Sequence, residues 1–365
     1  MRPSLLALAP VTMLGGLPVM AAPTVVADIA PVHALVAQVM DGVAEPALLI
    51  GPGASPHGYA LRPSEARALS EADLAIIMGE GLTPWIHDPL ESLASNAQVI
   101  ELLERPETTL LPVREGAHFE GPMAEGHAGH GDEEDHAEDE HDHSEDEHDH
   151  SEHDHAEHDH AEDDHDHAEE AGHDEPHDEA DHSDHAENAH GHTHTGDDPH
   201  AWLDPANGSA WLALIADELA VLDPENADTY RANASAAQDR LTALRSDVTA
   251  RLAPVGDAAF LTAHDSWQYF EAAFGVRAAG ALSDSDAVEP GPARLREVEG
   301  VIDTENVTCV VLEGGSGSRM AERLAASGDL RTVTMDPLGG GLTPGAGLYD
   351  TLLNELAAGF ADCLG

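Results

Sequence analysis

The sequence predicts an α/β protein of two lobes, each with a parallel-type sheet flanked by helices, joined by one long rigid connecting helix. Three observations carry that expectation. Short apolar or β-branched runs alternate with helical patterns in both halves of the 365-residue chain, as parallel sheets with crossover helices require. A helical pattern from Pro224 to about Leu252 runs unbroken between the halves. A low-complexity stretch, about 118–196, interrupts the first half and is too poor in apolar side chains to build a core.

In chain order, Met1 to Ala22 reads as a secretory signal. Arg2 supplies the positive start, Leu5 to Met20 is mostly apolar, and Met20-Ala21-Ala22 offers small residues for cleavage. A membrane anchor is the alternative. Pro10, Gly15, Gly16 and Pro18 break the run, which is short for a span, and no later run is long enough. The mature protein is therefore expected to be exported and not membrane-spanning.

The first lobe, 23–223 with its insert, has strand candidates at Thr24–Asp28, Ala47–Ile50, Leu74–Met78 and Gln98–Leu102. Helices fit Pro31–Met40, Pro63–Ser70, Pro84–Ala94 and Ala206–Leu222, and Pro63 suits a first helical turn because its φ is preset. The connecting helix, within 224–254, carries Ala227, Tyr230, Ala234, Ala237, Leu241, Leu244, Val248 and Leu252 at three- and four-residue steps before Pro254 and Gly256 stop it. About 29 residues of helix would span ~43 Å, more than a small domain needs.

The second lobe, 255–365, repeats the alternation. Strands are expected at Ala259–Ala263, Ala278–Leu282, Thr308–Glu313 and Arg331–Asp336, with helices at Ser266–Phe274, Pro292–Glu305, Ser318–Ser327 and Ala346–Cys363. Cys309 and Cys363 are the only cysteines. An even count in an exported protein suggests one disulfide, from a late strand to the C-terminal helix.

The insert holds 21 of the 26 histidines, and 30 of the 71 acidic residues lie between Glu125 and Glu187. His141, His143, His148, His150, His153, His155, His158, His160, His165 and His167 alternate with Asp and Glu. Imidazole suits Zn, Cu, Ni and Fe, and dense interchangeable ligands suggest several loose accessory sites; a solvated acidic linker is the plainer reading. The remaining 41 acids against 15 Arg, with no Lys, still leave the chain strongly acidic. Nucleic acid is thereby excluded as a partner, because phosphate binding needs clustered cations. Metal cations are the natural counter-ligands.

Outside the insert only His33, His57, His87, His200 and His264 remain. Ligands in open α/β sheets sit beyond the carboxyl ends of strands. His57 closes the loop Gly51-Pro-Gly-Ala-Ser-Pro-His57, His264 ends Phe260-Leu-Thr-Ala-His264, and His200 stands where the chain returns from the insert. Asp336 ends Thr332-Val-Thr-Met-Asp336, though the following Pro337 leaves a turn or cap role open. Three imidazoles and one carboxylate could make a tetrahedral zinc site in the interlobe cleft. His33 reads as a packing or capping residue and His87 as exposed. Glu313, at a strand end before Gly314-Gly-Ser-Gly, reads as part of a strand-to-helix turn, since the run lacks the Lys and spacing of a phosphate loop.

Three segments carry a family resemblance. Ser55-Pro-His-Gly-Tyr-Ala-Leu-Arg-Pro-Ser64, Asp198-Pro-His-Ala-Trp-Leu-Asp-Pro205 and Thr262-Ala-His-Asp-Ser-Trp-Gln-Tyr-Phe-Glu-Ala-Ala-Phe-Gly-Val276 resemble the ligand motifs of the zinc-specific substrate-binding proteins of ABC importers, the ZnuA type. The resemblance covers nearly the whole mature chain. It implies zinc held in the cleft by His57, His200 and His264, with water or a carboxylate matching Asp336 in the fourth position. Pro56 precludes the carboxylate that some relatives place beside the first ligand. Manganese-type relatives carry Glu where this chain has His264, which favours zinc. Gly314-Gly315 departs from the Pro and polar residue common after Glu313, and Cys309–Cys363 matches a disulfide of zinc-type relatives.

The expected function is capture of Zn²⁺ as cargo in the periplasm by a monomer, and its delivery to an inner-membrane ABC permease. The insert would be an accessory zinc collector or buffer, and no catalytic activity is expected. Two other readings stand beside it: a His₃-zinc hydrolase or lyase with Glu313 as its base, and a metal store or adhesin in which only the insert binds metal.

Overall fold

The computed structural model describes residues 21–114, 116–119, 196–283, 291–313, 318–328 and 330–365. Most of the expected signal, the ten insert histidines from His141 to His167, and the Gly314–Gly315 run lie outside the described residues.

Two four-stranded parallel sheets organise the fold. The first contains β1 (Val25–Ala27), β2 (Ala47–Leu48), β3 (Leu74–Ile77) and β4 (Gln98–Glu101), in the order β2-β1-β3-β4. The second contains β5 (Ala259–His264), β6 (Arg277–Ser283), β7 (Val307–Leu312) and β8 (Arg331–Thr334), in the order β6-β5-β7-β8. All pairings within both sheets are parallel. The crossovers are α1 (Ala30–Val39), α2 (Pro63–Ser70) and α3 (His87–Leu93) in the first lobe, and α6 (Gln268–Phe274), α7 (Pro292–Thr304) and α8 (Ser318–Gly328) in the second. Pro63 opens α2 as its preset φ predicts, and Glu65 caps the same turn by accepting from the Arg62 N–H at 2.7 Å.

Between the sheets run α4 (Pro205–Leu222) and α5 (Ala227–Leu252), and α9 (Leu348–Leu364) closes the chain. The Asp204 side chain accepts from the Ala206 N–H at 2.8 Å, which caps α4, while Pro205 fills its first position. The connecting helix is 26 residues long, three fewer than the sequence suggests. Residues 223–226 form a separate turn in which the Asp223 carboxylate accepts from Asn226 and from the Tyr230 hydroxyl. The predicted stripe is buried from Tyr230 to Leu252; only Ala227, at the first turn, is half-exposed.

One apolar cluster holds Val25 and Ile76 of the first sheet, Phe260 and Val311 of the second, and the inner faces of α1, α4, α5 and α9. The C-terminal helix belongs to the second lobe in sequence yet packs on α1 and α5. Gln38 of α1 donates to the Ala346 carbonyl at 2.8 Å, just before α9. The Cys309–Cys363 disulfide ties β7 to α9 with a Cα–Cα distance of 5.6 Å. The lobes therefore share a core as well as a helix, which opposes wide hinge motion. Among the described residues no helix is long and apolar enough to cross a membrane.

Residues 111–114, 116–119 and 196–198 form a second link between the lobes. Pro112 pairs with Asp197 in an antiparallel bridge. The Arg114 guanidinium donates to both carboxylates of Asp265 and Glu271 and lies 3.9 Å from the centre of the Phe119 ring. Phe119 is buried, and its N–H donates at 2.9 Å to the Ala279 carbonyl on edge strand β6.

Candidate metal site

The carboxyl ends of the parallel strands set the site. β5 and β7 are in register with Thr262 opposite Val311. Two residues further on each strand stand His264 and Glu313, on the same face because side chains alternate with period two. They meet there: Nδ1 of His264 lies 2.9 Å from Oε2 of Glu313. Glu313 is buried. Its Oε1 accepts from the Thr262 hydroxyl at 2.9 Å, the Ser266 hydroxyl at 3.1 Å and the Trp267 indole at 2.9 Å. Burial alone would raise its pKa, but the His264 ring and these donors outweigh burial and hold it below the ordinary glutamate value.

His200 is oriented from closer in sequence. It precedes the 3-10 turn Ala201–Leu203, and its Nδ1 lies 2.7 Å from Oδ1 of Asp198. The same oxygen accepts the His200 backbone N–H at 2.9 Å. Asp198 is itself fixed, its carbonyl accepting from the Tyr269 hydroxyl and its N–H donating to the Leu111 carbonyl. A carboxylate against Nδ1 keeps the proton on that nitrogen and leaves the Nε2 lone pair for a ligand.

His57 comes from the loop after β2. The Trp85 indole donates to the Pro56 carbonyl at 2.7 Å and anchors the loop just before the histidine. The Tyr59 ring lies tilted against Trp85, with ring centres 5.7 Å apart, and its hydroxyl donates to Glu65 at 2.9 Å. The motif from Ser55 to Ser64 thus folds as one piece, held at both ends of His57.

His57, His200 and His264 converge. One ligand nitrogen from each lies within 4.8 Å of the others. Tetrahedral zinc with Zn–N bonds of about 2.0–2.1 Å puts its nitrogens ~3.4 Å apart, inside that limit. His200 and His264 are buried, whereas His57 is half-buried. The cavity they line has a volume of about 150 Å³, with Gly53–Pro56, Trp202, Glu313 and Asp336–Leu338 completing its walls.

Asp336 lies at the same cavity, two residues beyond β8 rather than at its last residue. Its two oxygens accept the N–H groups of Leu338 and Gly340, each at 2.8 Å, and it is not one of the three convergent side chains. The turn role left open by Pro337 is thereby filled, and the carboxylate stands at the wall. His33 is buried in α1 with Nε2 3.1 Å from the Pro46 carbonyl, and burial lowers its pKa. His87 is exposed at the start of α3. Sequence reasoning passed over the orienting roles of Asp198 and Glu313. A carboxylate two residues before a candidate ligand, and another ending a neighbouring strand, were the available signals.

Known proteins share this chain's sequence pattern and fold. The family model described as "Zinc-uptake complex component A periplasmic" matches residues 25–363. The chain is 39% identical over 366 residues to the high-affinity zinc uptake system protein ZnuA of Paracoccus denitrificans (strain Pd 1222), covering all of this chain and 99% of that one. It is 36% identical to the ZnuA of Brucella abortus (strain 2308), covering 93% and 91% of the two chains. A crystal structure of ZnuA superposes with a TM-score of 0.64 at 19% identity, over 94% of this chain and all of that one. A manganese-bound periplasmic metal-binding protein from Candidatus Liberibacter asiaticus superposes with a TM-score of 0.65 at 14% identity, over the same shares. These two superpositions speak to the fold alone. The family model spans both lobes and all three histidines, and the chain belongs to the ZnuA family, the periplasmic component A of zinc-uptake complexes.

Proposed function

We propose that this protein captures Zn²⁺ in the periplasm through His57, His200 and His264 and hands it to the permease of an inner-membrane ABC importer. The convergence of three imidazole nitrogens, two of them backed by carboxylates, carries the reading. Such nitrogen-rich sites suit zinc, whereas manganese favours carboxylate and water oxygens. The zinc-uptake names of the relatives point the same way. Asp336 is the protein-derived candidate for the fourth position, held at the wall by Leu338 and Gly340, and water is the other.

The hydrolase reading loses support from the placement of Glu313. A general base needs a free lone pair facing the reacting water, but this carboxylate faces His264, Thr262, Ser266 and Trp267. We assign the protein no catalytic step. The shared core and α5 oppose a wide hinge, so release is assigned to small shifts of the cavity loops. The insert histidines are assigned an accessory role in collecting zinc, weaker at low pH because ligating imidazole must be neutral.

The test is a zinc titration of mature protein lacking residues 121–195, which keeps the buried Phe119, against a calibrated chelator, with manganese in parallel. One tight zinc site, lost in His264→Ala and indifferent to manganese, is expected. Absence of any tight site in this shortened protein would overturn the proposal and leave the chain a metal store.

A further inference from the structure

Two loops from opposite sheets meet at the wall of the cavity, backbone against backbone. One is the loop after β2, which carries Gly53 and ends at His57; the other follows β8 and carries Asp336 and Gly340. A Cβ placed on Gly340 would lie 2.7 Å from the Gly53 nitrogen, 3.0 Å from its Cα and 2.6 Å from Oδ2 of Asp336. No side chain fits there without the loops moving apart. The next residue differs: a Cβ on Gly341 would meet nothing within 4 Å.

Neither loop can slide freely to absorb a clash. Trp85 holds the first at the Pro56 carbonyl, and Trp202 holds the second by donating to the Pro337 carbonyl at 2.8 Å. The Gly340 N–H is also bonded to Asp336. Separation is then the remaining response. It would open the side of the cavity where His57, the most exposed of the three histidines, stands.

We propose that Gly340 is a release-determining residue: having no side chain, it lets its loop close directly on Gly53 and so retains the metal behind His57. This rests on the zinc reading above. Closure by contact at the wall acts after the metal has entered, so it governs the rate of departure and not the rate of encounter.

The experiment uses the mature protein loaded with Zn²⁺ and mixed rapidly with excess chelator. In Gly340→Ala, zinc is expected to leave at least about tenfold faster with little change in its association rate, the pattern of a contact acting on the bound state. Gly341→Ala serves as the control and is expected to release zinc at the parental rate. Acceleration should persist in an Asp336→Ala background; its disappearance there would mean that Gly340→Ala acts only by displacing that carboxylate, and would overturn the proposal. A folded Gly340→Ala protein with the parental release rate would overturn it equally. Thermal melting of the metal-free variants reports folding. If Gly340→Ala does not fold, Gly53→Ala disturbs the same approach through the backbone, because its φ of +76° is strained for alanine and relief of that strain moves the N and Cα that Gly340 meets. Parental release from that variant would count against the proposal. A parental protein with no zinc site dependent on His57 would remove the functional reading itself, an outcome separate from a failure of the latch.

Discussion

Nδ1 of His264 faces Oε2 of Glu313 at 2.9 Å, joining the ends of two adjacent parallel strands. The pair holds the imidazole proton on Nδ1, so that Nε2 is ready to bind. Glu313→Gln keeps the size and one oxygen but removes the charge. It is expected to weaken zinc binding by about 10–100-fold, read by chelator competition. Unchanged affinity would make Glu313 a purely structural residue.

The Arg114 guanidinium pairs with both Asp265 and Glu271, whose side chains are only 11% and 10% exposed. Burial raises both carboxyl pKa values, and the guanidinium opposes that rise. Arg114→Met strands two buried anions and is expected to cost about 3–5 kcal/mol of stability at neutral pH. The deficit should shrink as pH falls, because the stranded carboxylates can take up protons. Urea unfolding at pH 7 and pH 5 checks both the loss and its direction.

The disulfide closes a loop with a sequence separation of 54 between β7 and α9. On the chain-entropy model its loss costs about 4 kcal/mol. The double variant Cys309→Ser with Cys363→Ser should show that drop in denaturant unfolding. Zinc affinity should change little, since neither cysteine lines the cavity.

Asp28 is fully buried after β1, and burial pushes its pKa up to about 7, against lowering by the Met78 and Ile29 N–H groups. The folded protein thus binds a proton at this group that the unfolded chain releases near pH 4. Stability from this group is fully present below about pH 4 and is lost as pH rises toward 7, by on the order of 4 kcal/mol. In Asp28→Asn that component should vanish. Parallel unfolding curves for the two proteins across pH 4–8 would show the group does not titrate as described.

Alternation of apolar runs with helical patterns located the described strands and α-helices, most clearly at β1, β3 and β5, which are buried along their whole length. Position after a strand drew attention to His57 and His264, and the return of the chain from the insert to His200; the structure brings the three side chains together. What the sequence could not reveal depends on register and long-range packing. The meeting of His264 with Glu313 follows from the pairing of Thr262 with Val311. The fastening of Arg114 to Asp265 and Glu271 spans more than 150 residues. The single core shared by both lobes arises because α9 folds back over α1 and α5, a path that no local periodicity encodes.

The bridge between Pro112 and Asp197 bears on how the histidine-rich segment can vary. Its two stems are fastened side by side to the folded body, so the chain between them must only return to its starting point. Closing such a loop becomes harder only with the logarithm of its length, about 0.6 kcal/mol for each doubling. Repeats of His, Asp and Glu could therefore be gained or lost at small cost to folding, while the three-histidine cavity stays as it is.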